Sequence, residues 1–118
     1  MLLEGPEGGH QMFDNMTVND RGQVLIQEDT GGNEYIARIW RYDPESDELL
    51  EVAHHDESRF APGAPDFLTQ DEESSGIIPA PFLGEGWYLG DVQAHYATDT
   101  ELVEGGQLFA LHVPPGKK

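Results

Sequence analysis

Three acids and an amide, in the pairs Asp14-Asn15 and Glu28-Asp29, flank a tight turn at Asp20-Arg21-Gly22 in the stretch FDNMTVNDRGQVLIQEDTGGN. Carboxylate and carboxamide oxygens are hard donors suited to Ca2+, Mg2+ or Mn2+. The turn separates two short apolar runs, the pattern of a β-hairpin. In an antiparallel pair the start of the first strand lies beside the end of the second. Asp14, Asn15, Glu28 and Asp29 are therefore expected on one rim. Crowded carboxylates repel one another unless a proton or a cation sits between them. A divalent metal site is one reading of this spacing, and a solvated acidic hairpin end is the other.

The motif recurs. Asp71-Glu72-Glu73 precedes the run Ser74 to Ile78 much as Asp14-Asn15 precedes Met16 to Val18, which adds Glu72 and Glu73 to the metal candidates. His95 ends an alternating apolar run and is a candidate ligand or general base, with a structural role as the alternative. Its imidazole would move the metal preference from Ca2+ towards Zn2+ or Mn2+. His54-His55-Asp56 has the composition of an acid-base cluster, but it follows an outer strand and leads into a loop, so a structural role is expected. Ser74 and Ser75 have no base at an arguable spacing, and serine catalysis is not expected. Gly31-Gly32 does not join a strand to a helix and reads as a turn, not a phosphate loop.

A chain of 118 residues with 23 acids against 6 bases carries a formal charge of -17. That field repels nucleic acid and anionic membranes and attracts divalent cations. It also opposes compaction, so bound calcium is expected to assist folding. With no cysteine, disulfides and thiolate metal sites are excluded. No stretch has the length of a membrane-spanning helix or the core of a signal peptide. The chain as written is expected to stay where it is made, and it names no compartment.

The elements that must position these residues are strands. The 14 glycines and 8 prolines recur at short intervals, and no segment keeps a helical period for three turns. A stub at 2–4 is followed by strands at 12–18, 23–27, 35–42 and 49–53, and after a loop by strands at 76–78, 87–93 and 107–113. In the 35–42 strand Ile36, Arg38, Trp40 and Tyr42 face one way, while Tyr35, Ala37, Ile39 and Arg41 face the other. Both faces carry large apolar groups, as in a sheet packed between two others. Arg38 is expected to pair with a nearby acid.

The reading is an all-β single domain over 1–118, made of four-stranded antiparallel propeller blades, about two per chain. Blade one covers about 12–54 and blade two about 71–113. The second lacks its fourth strand, which residues 1–5 of a neighbouring chain would supply by strand addition. Propellers typically close with about 4 to 8 blades. A ring is therefore expected to form by homo-oligomerisation, a trimer ahead of a dimer.

The segments DNMTVNDRGQVLIQED, DEESSGII, GEGWYLGDVQAHY and ELVEGGQL resemble the C-terminal blades of a bacterial family related to PhoX-type alkaline phosphatases. The resemblance covers nearly the whole chain but a minor part of the family's length. It implies a usually exported β-propeller that uses calcium, with iron in some members, to hydrolyse phosphoesters. Asp14, Asn15, Glu28, Asp29, Glu72 and Glu73 fall in the matching acidic motifs, and Gln93-Ala94-His95 matches an element beside the metal cluster. The family's iron-binding cysteine has no counterpart here, so any site would be a reduced one repeated by symmetry.

Two functions follow. One is a metal-dependent hydrolase of phosphoesters or related activated esters, including phosphotriesters, in which metal-bound water attacks and His95 or Glu28 removes the proton. The other is a non-catalytic, calcium-stabilised propeller scaffold or interaction module.

Overall fold

Strand alternation and turn chemistry set the architecture. The computed structural model describes residues 2–5, 8–96 and 105–116. Among them, β1 (Phe13–Val18), β2 (Val24–Glu28), β3 (Arg38–Asp43) and β4 (Glu48–His54) form an antiparallel four-stranded sheet in chain order. A second, three-stranded sheet contains β5 (Glu72–Pro79), β6 (Trp87–Ala94) and β7 (Gly105–His112). Among the described residues, helix is confined to the four-residue α1 (Glu57–Phe60) and a 3-10 turn at Pro81–Leu83. The chain is thus all-β, with a full and a three-stranded sheet as expected. Two sheets do not by themselves close a ring.

Local chemistry explains the turns. Between β1 and β2, Asn19 Oδ1 accepts from Arg21 N and Gln23 N, both at 3.0 Å, and Gly22 takes a left-handed φ of 77°. Between β3 and β4, Asp43 Oδ1 accepts from Glu45 N, and Tyr42 Oη donates to Asp47 Oδ1 at 2.8 Å. Asp56 caps α1 by accepting from Ser58 N at 2.9 Å. β3 starts at Arg38 and not at Tyr35, because the chain still bends at Glu34 and Tyr35 after the turn at Gly31 and Gly32. β5 starts at Glu72, four residues before the expected 76, and kinks where its register with β6 shifts between Ser74 and Gly76. A Cβ on Gly76 would sit 2.7 Å from Asp91 Oδ1, so the Asp91 carboxylate of β6 would have to swing aside to admit a side chain there.

β3 is buried on both faces, as its composition requires. Ile39 joins Leu25, Ile77, Tyr88 and Val113 in the core between the sheets. Trp40 faces the other way, where His10 meets it edge-on at 6.3 Å and stacks on Phe13 at 4.5 Å. Tyr42 Oη, whose proton is directed at Asp47, also lies 3.1 Å from Leu2 O. Leu2, in the segment expected to complete a neighbour's sheet, thus contacts β3 of its own chain.

The sheets meet where β5 lies along β1 and β2. Gln27 Nε2 donates to Gly76 O, and Thr30 Oγ1 to Glu72 O, both at 3.3 Å. Asp29 and Glu73 form an antiparallel bridge. This seam positions most of the expected site residues.

Candidate functional site

Alternation along the two strands that meet at the seam sorts the acids into two groups. Successive side chains point to opposite faces, so Glu28 and Asp29 diverge, as do Glu72 and Glu73.

Glu28 turns inward and is 3% exposed. Its Oε1 accepts from Gln11 N at 2.7 Å and from Trp40 Nε1 at 2.8 Å, and its Oε2 accepts from Arg38 N at 3.0 Å. Three N–H groups thus stand in for the water lost on burial. Asp14 does not join it. Phe13 pairs with Glu28, and the β1–β2 register shifts between Phe13 and Met16. This irregularity leaves Asp14 exposed, with Asn15 Nδ2 donating to its Oδ2 at 2.6 Å. The hairpin rim expected to gather Asp14, Asn15, Glu28 and Asp29 is divided by that shift. Arg38 pairs with Glu51 at 3.7 Å, the structural role its position suggests.

Glu72 also turns inward and is fully buried, and its Oε1 accepts from Ala37 N at 3.1 Å. Burial pushes its carboxyl above the ordinary carboxylate range, and the Ala37 N–H opposes part of that rise.

Asp29 and Glu73 are the acids brought together. Their backbones bridge and their side chains hydrogen-bond, and His95 is close enough for its charge to act on Glu73. Burial raises the Glu73 carboxyl, and the Asp29 charge and hydrogen bond raise it further. His95 and the Ser75 hydroxyl pull in the other direction. Two carboxyls in contact share a proton or need a cation, so the donor chemistry fits a hard divalent ion. Among the described residues, no set of three or more His, Asp or Glu side chains has the geometry to hold one unaided.

A second feature was not expected from the sequence. Between the sheets lies a cavity of about 470 Å3, lined by Ile39, Phe60, Val92, Phe109, His55 and Ser74 among others. His55 Nε2 and Ser74 Oγ are 2.7 Å apart, and His55 Nδ1 faces Glu72 Oε1 at 3.9 Å. Desolvation, with a smaller push from the His54 charge, lowers the His55 pKa from 6.5 to about 4. The loop after β4 turns at Asp56 and carries His55 back over β5, so a separation of 19 residues in sequence disappears in space. The readable signal was the shared parity of Glu72 and Ser74, which sends both towards the opposite sheet.

No protein-family model matches this chain, and no curated protein or solved structure matches it either.

Two outcomes follow from this geometry. Glu28→Gln should destabilise the protein by roughly 1–3 kcal/mol in urea unfolding, because the new amide NH2 must face a backbone N–H or give up the Trp40 bond. Unchanged stability would show that these three hydrogen bonds contribute little. For His55, the unfolded chain takes up a proton near pH 6.5 that the folded chain refuses until about pH 4. Its contribution is complete above pH 6.5 and is lost as pH falls towards 4, a change of about 3 kcal/mol. The stability advantage of wild type over His55→Gln should shrink by that amount between pH 7 and pH 4. An advantage that does not vary with pH would contradict the burial argument.

Proposed function

We propose that the protein is a metal-dependent hydrolase of phosphoesters or related activated esters, acting at Asp29 and Glu73 with His95 beside them. The observation that carries this reading is the contact between two carboxyl groups at the seam of the sheets. A net charge of -17 favours a cation there. Oxygen donors of this kind favour Ca2+, with Mn2+ or Zn2+ as alternatives once His95 takes part. The segments DEESSGII and WYLGDVQAH, which carry the most specific part of the resemblance to the PhoX-type family, supply Glu73 and His95.

A bound divalent ion would polarise the phosphoryl oxygen and make water more acidic. Asp29 and Glu73 would hold the positive charge against the substrate. His95 would take the proton from the attacking water.

The proposal includes assembly. β7 is an edge strand of its three-stranded sheet, and Leu108 upon it is 78% exposed, which supports completion by further strands. A homotrimer would give six sheets in a ring and a homodimer four, and either could bring Asp29 and Glu73 towards ligands of other copies. The partner at the site is a small phosphoester or ester, with neither nucleic acid nor membrane favoured by the charge.

A second reading has its own support. Glu28 and Glu72, both expected as ligands, are engaged by N–H donors, which suits a calcium-stabilised scaffold without turnover.

The two are separable by experiment. Because the Glu73 pKa is raised on folding, its contribution to stability is present at low pH and is lost as pH rises through the raised value. Glu73→Gln should therefore raise the melting temperature of metal-free protein at pH 7 and have little effect at pH 4. Added Ca2+ should raise the wild-type melting temperature at pH 7, and EDTA should reverse this. EDTA-sensitive turnover of chromogenic phosphomono-, di- or triesters, lost in Glu73→Gln, supports the hydrolase. A calcium shift with no turnover supports the scaffold, and indifference to both Ca2+ and EDTA counts against a metal at this pair.

A further inference from the structure

The cavity between the sheets carries a set of groups that the metal reading leaves unused. Ser74 is 1% exposed and His55 8%, and both form part of its wall. Glu72 lies behind them. His55 Nδ1 and Glu72 Oε2 are both buried without a hydrogen-bond partner among the described residues. Buried polar atoms are seldom left so. A carboxylate 3.9 Å from Nδ1 favours the tautomer with the proton on Nδ1. Nε2 is then free to accept from the Ser74 hydroxyl at 2.7 Å. The order along this line is hydroxyl, imidazole, carboxylate, which is the arrangement that activates a serine nucleophile.

The surrounding wall indicates what such a nucleophile would meet. Ile39, Ala53, Phe60, Val92, Phe109 and Leu111 give the cavity an apolar lining. Its 470 Å3 lies within the range of about 300–1,000 Å3 typical of small-molecule sites. Exposed Arg59, Leu68 and Gln107 stand among its lining residues, so it is open to solvent. Apolar walls with one polar pair suit an ester whose acyl chain is short and uncharged.

We propose that Ser74 is a nucleophile towards small apolar carboxylic esters, with His55 as its base and Glu72 as the residue that orients His55. Ser74 Oγ forms a bond to the carbonyl carbon, and its proton passes to His55 Nε2. The tetrahedral adduct collapses, the C–O bond to the alcohol breaks, and the departing alkoxide takes that proton from His55. Water then attacks the acyl-serine, giving up a proton to His55, and the acid leaves as Ser74 regains its hydrogen. No metal takes part in any of these steps. Glu73 and Asp29 lie on the opposite side of β5 and are not used.

The test is covalent labelling of the full chain in EDTA, which makes its outcome independent of the metal site. A fluorophosphonate probe should add once per chain, on the peptide containing Ser74, and p-nitrophenyl butyrate should be hydrolysed. Ser74→Ala should lose both. His55→Gln should slow labelling by on the order of 100-fold, the usual scale for removing a general base. A wild-type protein left unmodified at Ser74, or one labelled equally well as Ser74→Ala, would overturn the proposal. A second variant keeps the test decisive if Ser74→Ala fails to fold. The chain has no cysteine, so Ser74→Cys introduces a single thiol. Beside an imidazole base its alkylation by iodoacetamide should titrate well below the ordinary thiol value of about 8.5. Titration at or above that value would contradict activation by His55.

Discussion

The fold depends on a buried carboxyl that reaches from one sheet into the other. Glu72 belongs to β5, yet its Oε1 accepts from Ala37 N just before β3, while its backbone carbonyl accepts from Thr30 Oγ1. Gln27 extends the same seam to Gly76. These polar links sit beside the apolar contacts of Leu25 and Ile39 with Ile77 and Tyr88. Burial makes Glu72 a reluctant anion, and the removal of either partner would leave a polar group buried and unpaired. One residue thus couples the pairing of the sheets to the placement of His55, Ser74 and the Asp29–Glu73 bridge.

The acidic composition is managed in two ways. Inward acids are engaged by N–H groups: Glu28 by three and Glu72 by one. Outward acids at the seam meet each other, and Asp29 raises the Glu73 carboxyl as a result. Adjacent residues in sequence therefore have opposite roles. Glu28 and Glu72 hold the structure, while Asp29 and Glu73 are set against each other, where a cation could neutralise their charge. The strand period alone decides which acid does which.

Much of the fold was legible because alternation and turn chemistry are local. The first three strands of the first sheet, the turn at Asp20-Arg21-Gly22 and the double burial of β3 follow directly from FDNMTVNDRGQVLIQED and ARIWRYD. The candidate site was less legible. The pairing of Asp14 with Glu28 assumed an unbroken hairpin register, and the shift between Phe13 and Met16 divides them. Nothing in composition marks that irregularity. His55 looked remote because it follows the outer strand β4, and the contact with Ser74 depends on how the two sheets pack. The association of Glu73 with His95 was visible only as two separate motifs until β5 and β6 paired.

The tie through Glu72 can be tested without disturbing either core. Trp40 lies in β3 and Trp87 in β6, so a fluorotryptophan-labelled protein carries one 19F reporter in each sheet. The account predicts that both folded resonances disappear at the same urea concentration in the wild type. In Glu72→Ala the transitions should separate, with the Trp87 sheet unfolding first because it has only three strands. Separate transitions in the wild type, or coincident and unshifted ones in Glu72→Ala, would contradict it.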